Sequence, residues 1–275
     1  MIKDILVNLS VGKPRDVAGD FAISVANLFQ AHLSAMAFAF DPAMGGSIMD
    51  GTTAPFLDQW RAEQKAAAEK SQQAFELRAR LAGVTASSKV HSDDVADAAQ
   101  VFGELARHYD LSILAQEERD DDLPQSLMIE AALFESGRPV LVVPYIQTAD
   151  IKLDRIMLCW DGSRNAARAV ADALPFLKRA SQIDVVTVET KERRNSLRGA
   201  LIAEHLARHQ LKINLKPIVA PDSDVTNVVL SQAADSDTDL IVMGGYGHSR
   251  LREFILGGAT RGILDSMTVP VLMSH

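Results

Sequence analysis

Three short apolar runs occur in the first half of this 275-residue chain and return in the same order in the second, displaced by roughly 130 residues for two of them and about 150 for the first. "KDILVNLS" at 3–10 corresponds to "DRIMLCWDGS" at 154–163. "YDLSILAQ" at 109–116 corresponds to "TDLIVMGG" at 238–245, and "GRPVLVVP" at 137–144 to "TVPVLMSH" at 268–275. Each run is about six residues long and ends in turn residues, as a strand buried on both faces does. A chain built this way must fold as two copies of one unit.

Helical patterns lie between the runs. Ser163 is placed to cap a helix whose apolar face carries Ala166, Ala169, Val170, Ala173, Leu174 and Leu177. The matching segment of the first half is 16–29, with Val17, Phe21, Val25 and Leu28 on one face. Further helices are expected over 56–81, 95–107, 197–209 and 225–234. Further strands are expected at "HLSAMAFAF", "IDVVTVE" and "LKINLKPIV". Strands alternating with helices imply right-handed crossovers and an open parallel sheet covered on both faces. The expected fold is therefore α/β, two tandem Rossmann-like domains of five parallel strands each. The domains are expected at 1–147 and 148–275, joined through "YIQTADIK" at 145–152. In residues 40–56 the first half carries a long small-residue loop, read as a surface excursion or as a lid or partner surface.

Composition narrows the class. Apolar residues make up 47% of the chain and aromatics only 5%, which suits helices on a parallel sheet better than a β-sandwich. No run reaches the length of a membrane span, and the first ten residues do not read as a signal peptide. A single cysteine, Cys159, cannot form an internal disulfide, which fits a cytoplasmic protein. The net charge of −8 argues against nucleic acid as a partner. Residues 1–147 hold 12 Lys and Arg against 21 Asp and Glu, whereas the remainder holds 16 against 15. An anionic ligand therefore favours the second half.

The stretch "GGYGHSRLREFILGGATRG" at 244–262 follows the apolar run "DLIVM" directly. In an open α/β sheet, ligands bind beyond the carboxyl ends of the strands, where the strand order reverses. Small residues there let main-chain N–H groups approach phosphate oxygens, and the helix that follows offers its positive end. His248, Arg250 and Arg252 add positive charge. The pattern is neither a GxxxxGK[ST] loop nor a GxGxxG turn. On these grounds a plain turn and a phosphate site stay equally open.

The spacing Gly244, two residues, Gly247, nine residues, Gly257 resembles the G-x2-G-x9-G-[ST] nucleotide signature of the universal stress protein family. "IMLCWDGSRNAARAV" resembles that family's first strand and helix, and the likeness continues more weakly through the first half. The resemblance implies a tandem member of the family whose two halves pair through their last strands as an intramolecular pseudo-dimer, with a homodimer as a further option. It implies a stress-response and signalling module that holds ATP or another adenine nucleotide, with Mg²⁺, in the second domain and works with an unidentified protein partner. Under it, Asp161 meets the adenine end and Val188 the base through its main chain. Gly244, Gly247 and Gly257 wrap ribose and phosphates, with His248 beside them. The family's Ser or Thr after the last glycine is Gly258 here, and Thr260 offers a replacement hydroxyl. Slow ATP hydrolysis is compatible with this reading, although no catalytic base or arginine finger can be named. The alternatives are a scaffold that binds no nucleotide and an ATP-using hydrolase; the latter needs a Ser-Gly-Gly loop where "WDGSRNAA" stands.

In the first half, Ser10 stands at the place of Asp161 and Ala115 at that of Gly244. Glycines give way to "QEERDDDLPQS", which would repel a polyphosphate. That loop reads as a solvated acidic segment of a degenerate repeat, with a divalent-metal site as the minor reading. His205 and His209 stand at i, i+4 with no third ligand nearby in sequence. Ser163 lacks a His and Asp partner, and Cys159 sits within a strand as a small hydrophobe.

Overall fold

A computed structural model describes residues 1–41, 54–118, 125–189, 197–219, 224–246 and 258–275. The chain divides into two compact units. One holds residues 2–136 with 148–150; the other holds Met1, 137–147 and 151–275.

The first unit runs β1 (Asp4–Asn8), α1 (Val17–Phe29), β2 (His32–Phe40), α2 (Ala54–Leu81), β3 (Ala86–Asp93), α3 (Val95–Ala106), β4 (Leu111–Ala115) and α4 (Gln125–Glu135). Its strands lie parallel in the order β3-β2-β1-β4. The chain works outward from β1 to β3 and then returns to the other side of β1, so the order reverses between β1 and β4. Two of these elements were not legible. β3 reads "ASSKVHSD", polar on both faces, because it is an edge strand with its residues exposed or half-buried. The helix α4 has almost no amphipathic stripe, although Met128, Ile129, Ala132 and Leu133 are buried.

The second unit repeats the plan with β6 (Arg155–Cys159), α5 (Arg164–Leu177), β7 (Gln182–Glu189), α6 (Leu197–Arg208), β8 (Ile213–Val219), α7 (Val225–Asp235), β9 (Leu240–Gly244), α8 (Ala259–Ser266) and β10 (Val271–Ser274). The order is β8-β7-β6-β9-β10, all parallel, with the reversal between β6 and β9. Pro217 sits in β8, where an edge position removes the demand for its N–H. A sixth strand, β5 (Val140–Val143), belongs to this unit and pairs antiparallel with β10. Val142 faces Val271 and Val140 faces Met273 in that pairing, and all four are fully buried. The last strand of the first repeat thus joins the last strand of the second.

Sequence and caps explain the boundaries. Ser163 caps α5 by accepting from Ala166 N–H at 3.1 Å. Asp16, Asp94 and Asp224 do the same for α1, α3 and α7. Ala166, Ala169, Val170, Ala173 and Leu177 are buried on the apolar face of α5 as their spacing predicts, while Leu174 is half-buried and Phe176, outside that reading, is buried with them.

Candidate functional site

The C-terminal ends of β6, β7 and β9 converge at the strand reversal of the second unit, the place where an open sheet receives ligands. Trp160 N–H donates to the Val186 carbonyl at 2.8 Å and carries the β6–β7 ladder one residue past β6. Asp161 follows, exposed, and its Oδ1 accepts from Ser163 N–H at 2.9 Å. Gly162 has φ +76°, a left-handed turn conformation that glycine adopts without strain. The Asp161 carboxylate therefore shapes the turn into α5 and still faces solvent. Val188 lies half-buried near the end of β7, paired with Ile218.

Gly244 closes β9, and its lack of a side chain has a packing cause. A Cβ there would lie 2.6 Å from Ala166 N and 2.7 Å from the Asn165 carbonyl carbon. The strand end is pressed against the first turn of α5. Gly262 has a similar origin, because a Cβ would lie 2.8 Å from Thr226 Oγ1 on α7. It admits that helix.

Asn165 holds the edge together and escaped the sequence reading. It is 3% exposed, and its Nδ2 donates to the Gly245 carbonyl at 2.6 Å and reaches His275 Nδ1 at 2.9 Å. Nothing in the sequence marks it, since a polar residue at a helix start reads as surface; the fold buries it, and a buried amide needs partners. Gly245 N–H in turn donates to the Ser274 carbonyl at 2.9 Å. Tyr246, with φ +49°, donates its N–H to Thr260 Oγ1 at 3.1 Å. Thr260 is buried, in the first turn of α8. One hydrogen bond thus joins the end of β9 to the beginning of α8.

Gly258 is the N-cap of α8, with φ −62° and no side-chain cap. Its backbone suits any residue, so the glycine is not a conformational need. Gly247, His248 and Gly257, along with Arg250 and Arg252, lie outside the described residues. Asp161, Val188, Gly244, Gly258 and Thr260 lie at strand ends or a helix start on this one edge.

Two further groups mark the spot. The Trp160 indole Nε1 is buried with no hydrogen-bond partner among the described residues. Burial pushes the Cys159 thiol up to about 12, with the Asp161 carboxylate adding to the shift, so it stays protonated at neutral pH.

At the same edge of the first unit, several described side chains bond to one another or to the main chain. Asn8, buried at the end of β1, donates from Nδ2 to Gln125 Oε1 at 3.3 Å. Glu117 Oε2 accepts from Ser126 N–H at 3.1 Å, and Glu118 lies 3.6 Å from Lys13 Nζ. Asp120, Asp121 and Asp122 lie outside the described residues. Among the described residues no group of three His, Cys, Asp or Glu side chains is placed to hold a metal. His205 and His209 stack edge to face at 4.9 Å. Among the described residues no helix is long and apolar enough to cross a membrane.

Comparison with known proteins shows what the second half of the chain is similar to. Residues 152–275 match the universal stress protein family. A universal stress protein of Synechocystis sp. is 27% identical over 143 residues, a stretch covering 49% of this chain and 46% of that protein. The chain thus aligns with about half of that relative's length. A universal stress protein from Archaeoglobus fulgidus has the same fold at 14% identity, with a TM-score of 0.74 over 98% of this chain and 97% of that one. A Pseudomonas aeruginosa protein of unknown function follows at 16% identity and TM-score 0.59, over 99% and 92%. Residues 152–275, the second half of the chain, are thus similar to the universal stress protein family in sequence.

Proposed function

We propose that the chain binds an adenine nucleotide, ATP in the first instance, at the C-terminal strand edge of residues 148–275, and that 1–147 is a degenerate partner domain without such a site. It acts as a binding and signalling module of the stress response in the cytoplasm, not as a committed catalyst. The observation that carries this reading is the Tyr246–Thr260 hydrogen bond. It brings the two ends of the glycine-spaced segment 244–258 together at the strand reversal, beside the N-terminus of α8, where main-chain N–H groups favour phosphate. Gly247, His248 and Gly257, lying between those ends, would line the phosphates with Gly258 and Thr260. Asp161 would meet the adenine end, and Val188 the base through its main chain. Trp160 Nε1, buried without a partner among the described residues and next to Asp161 in sequence, supports a ligand that supplies an acceptor. Mg²⁺ would accompany the phosphates.

Titration calorimetry of the full chain with ATP, ADP and AMP, with and without Mg²⁺, tests the reading. Saturable binding is expected, lost in Gly247→Leu. No detectable heat at about millimolar nucleotide, the weak end of specific affinity, overturns it. The rival reading, a scaffold without nucleotide, draws on Gly258 in place of a hydroxyl residue and predicts that Gly247→Leu changes nothing.

A further inference from the structure

The two units differ at a second pair of equivalent places, on the sheet face beneath the helix that follows the edge strand. In the second unit Asp184 on β7 is 6% exposed and surrounded by donors. Lys216 Nζ lies 2.7 Å from its Oδ2, while Gln182 Nε2 and Asn214 Nδ2 donate to its Oδ1 at 3.0 and 3.2 Å. Strand register identifies the counterparts. Asp184 pairs with Met157 of β6 and Asn214 of β8. Ser34 pairs with Leu6 of β1 and Ser87 of β3, and Leu6 matches Met157 in the repeat. One step along, Lys216 pairs with Val186 and Lys89 pairs with Met36, so Lys89 is the counterpart of Lys216.

The first unit has therefore kept the ammonium and lost the carboxylate. Where the second has an ion pair, the first has a cavity of about 280 Å³ between β2, β3 and α3. Ser34 and Ser87 line it with hydroxyls 3.1 Å apart, and Lys89 stands at its wall. Met36, Leu105 and Tyr109 supply the apolar side of the lining. Lys89 makes no ion pair or hydrogen bond among the described residues.

We propose that this cavity of the first unit binds a small amphipathic monocarboxylate, its carboxylate on Lys89, Ser34 and Ser87 and its short hydrocarbon body against Met36, Leu105 and Tyr109. The ligand supplies from outside the group that Asp184 supplies from within the second unit. A volume near the lower end of small-molecule sites sets the size class, a short chain and not a long lipid. The apolar lining disfavours a bare inorganic anion, whose hydration it could not replace. This site is separate from the nucleotide edge, and its test is independent of that reading.

Octanoate serves as the probe, titrated into the full chain and followed by amide shifts of Ser34, Ser87 and Lys89. Saturable binding is expected at those residues, with acetate far weaker. Lys89→Met, at an exposed position the fold tolerates, should weaken octanoate roughly 10- to 100-fold, the loss of one charge-assisted hydrogen bond. Ser34→Asp, which copies the second unit, should abolish binding by pairing with Lys89 internally. Equal affinity in Lys89→Met, unchanged binding in a folded Ser34→Asp, or no saturation by the wild type at about 10 mM, beyond the weakest specific range, overturns the proposal. Should Ser34→Asp fail to fold, Lys89→Met decides alone.

Discussion

The strand ends of the two units share a topology and differ in what occupies them. At β6 and β9 the edge is built from main chain: a left-handed turn at Gly162, a glycine pressed on α5, and Tyr246 N–H held by Thr260. At β1 and β4 it is built from side chains, with Asn8 bound to Gln125, Glu117 to Ser126 and Glu118 to Lys13. Duplication copied the sheet, whose core needs only apolar runs, and left the loops free to diverge. A site made of backbone survives only where small residues persist. In the other copy the described side chains at the corresponding place bond to one another instead.

The largest effect follows from the glycine at the end of β9. Gly244→Val forces a branched side chain into a gap of 2.6 Å to Ala166 N, and α5 must move. The second unit should lose 3 kcal/mol or more, about the upper end of overpacking costs. Ala115→Gly, at the matching place in β4, should cost about 0.5–1 kcal/mol, an entropic loss only. Urea denaturation of both variants checks this. Equal and small costs would show that Gly244 is retained for ligand approach and not for packing.

That prediction marks where the sequence was legible. The strands β1, β2, β4 to β7, β9 and β10 announce themselves because burial on both faces demands continuous apolar runs, as "LIVM" before Gly244 shows, and the edge strand β8 is legible too, through the apolar residues of "LKINLKPIV". β3 has no such demand, since it borders solvent, and its alternating "SSKVHS" reads as loop. The glycine spacing was legible as a pattern, but its causes were not. Gly244 and Gly262 answer to helix contacts that only the folded chain reveals. Asn165 was hidden for the opposite reason: one polar residue at a helix start reads as surface until its buried partners are known.

Two buried carboxylates sharpen the comparison through pH. In the first unit, desolvation at the α1 cap raises Asp16 above the ordinary carboxylate value, against the N–H groups of Ser10 and Gly19 and the Arg78 guanidinium 2.9 Å away. In the second, desolvation of Asp184 is outweighed by hydrogen bonds from Lys216, Gln182 and Asn214, and its value is lowered. The signs oppose. Asp16 binds a proton more readily folded than unfolded, so its contribution is present at low pH and lost as pH rises through the folded value. Asp184 contributes above the ordinary carboxylate range, and that stability is lost as pH falls toward its lowered value. Measured from pH 7 to 3, wild type should gain on Asp16→Asn and lose against Asp184→Asn. Parallel curves for the two variants would break the contrast.

The smallest effect tests the one departure from the nucleotide signature that residues 244–258 resemble. Gly258 caps α8 with no side-chain bond, in a backbone conformation open to any residue. Gly258→Ser adds a hydroxyl with two places to go. Turned inward, it accepts from a first-turn N–H of α8 and stabilises the unit by a few tenths of a kcal/mol, about the difference between Gly and Ser caps. Turned outward, it donates to a phosphate and is worth about 1 kcal/mol, a roughly fivefold gain in nucleotide affinity. Trp160 can report the second outcome, since it precedes Asp161 in the chain and Trp60, the other tryptophan, is removable as Trp60→Phe. Titrating ATP into both Trp60→Phe proteins, with Gly or Ser at 258, separates the roles. A tighter ATP curve at unchanged melting temperature assigns the hydroxyl to phosphate. A higher melting temperature at unchanged affinity assigns it to the helix, and the family's hydroxyl at this position would then be a cap that Thr260 and Tyr246 have made dispensable here.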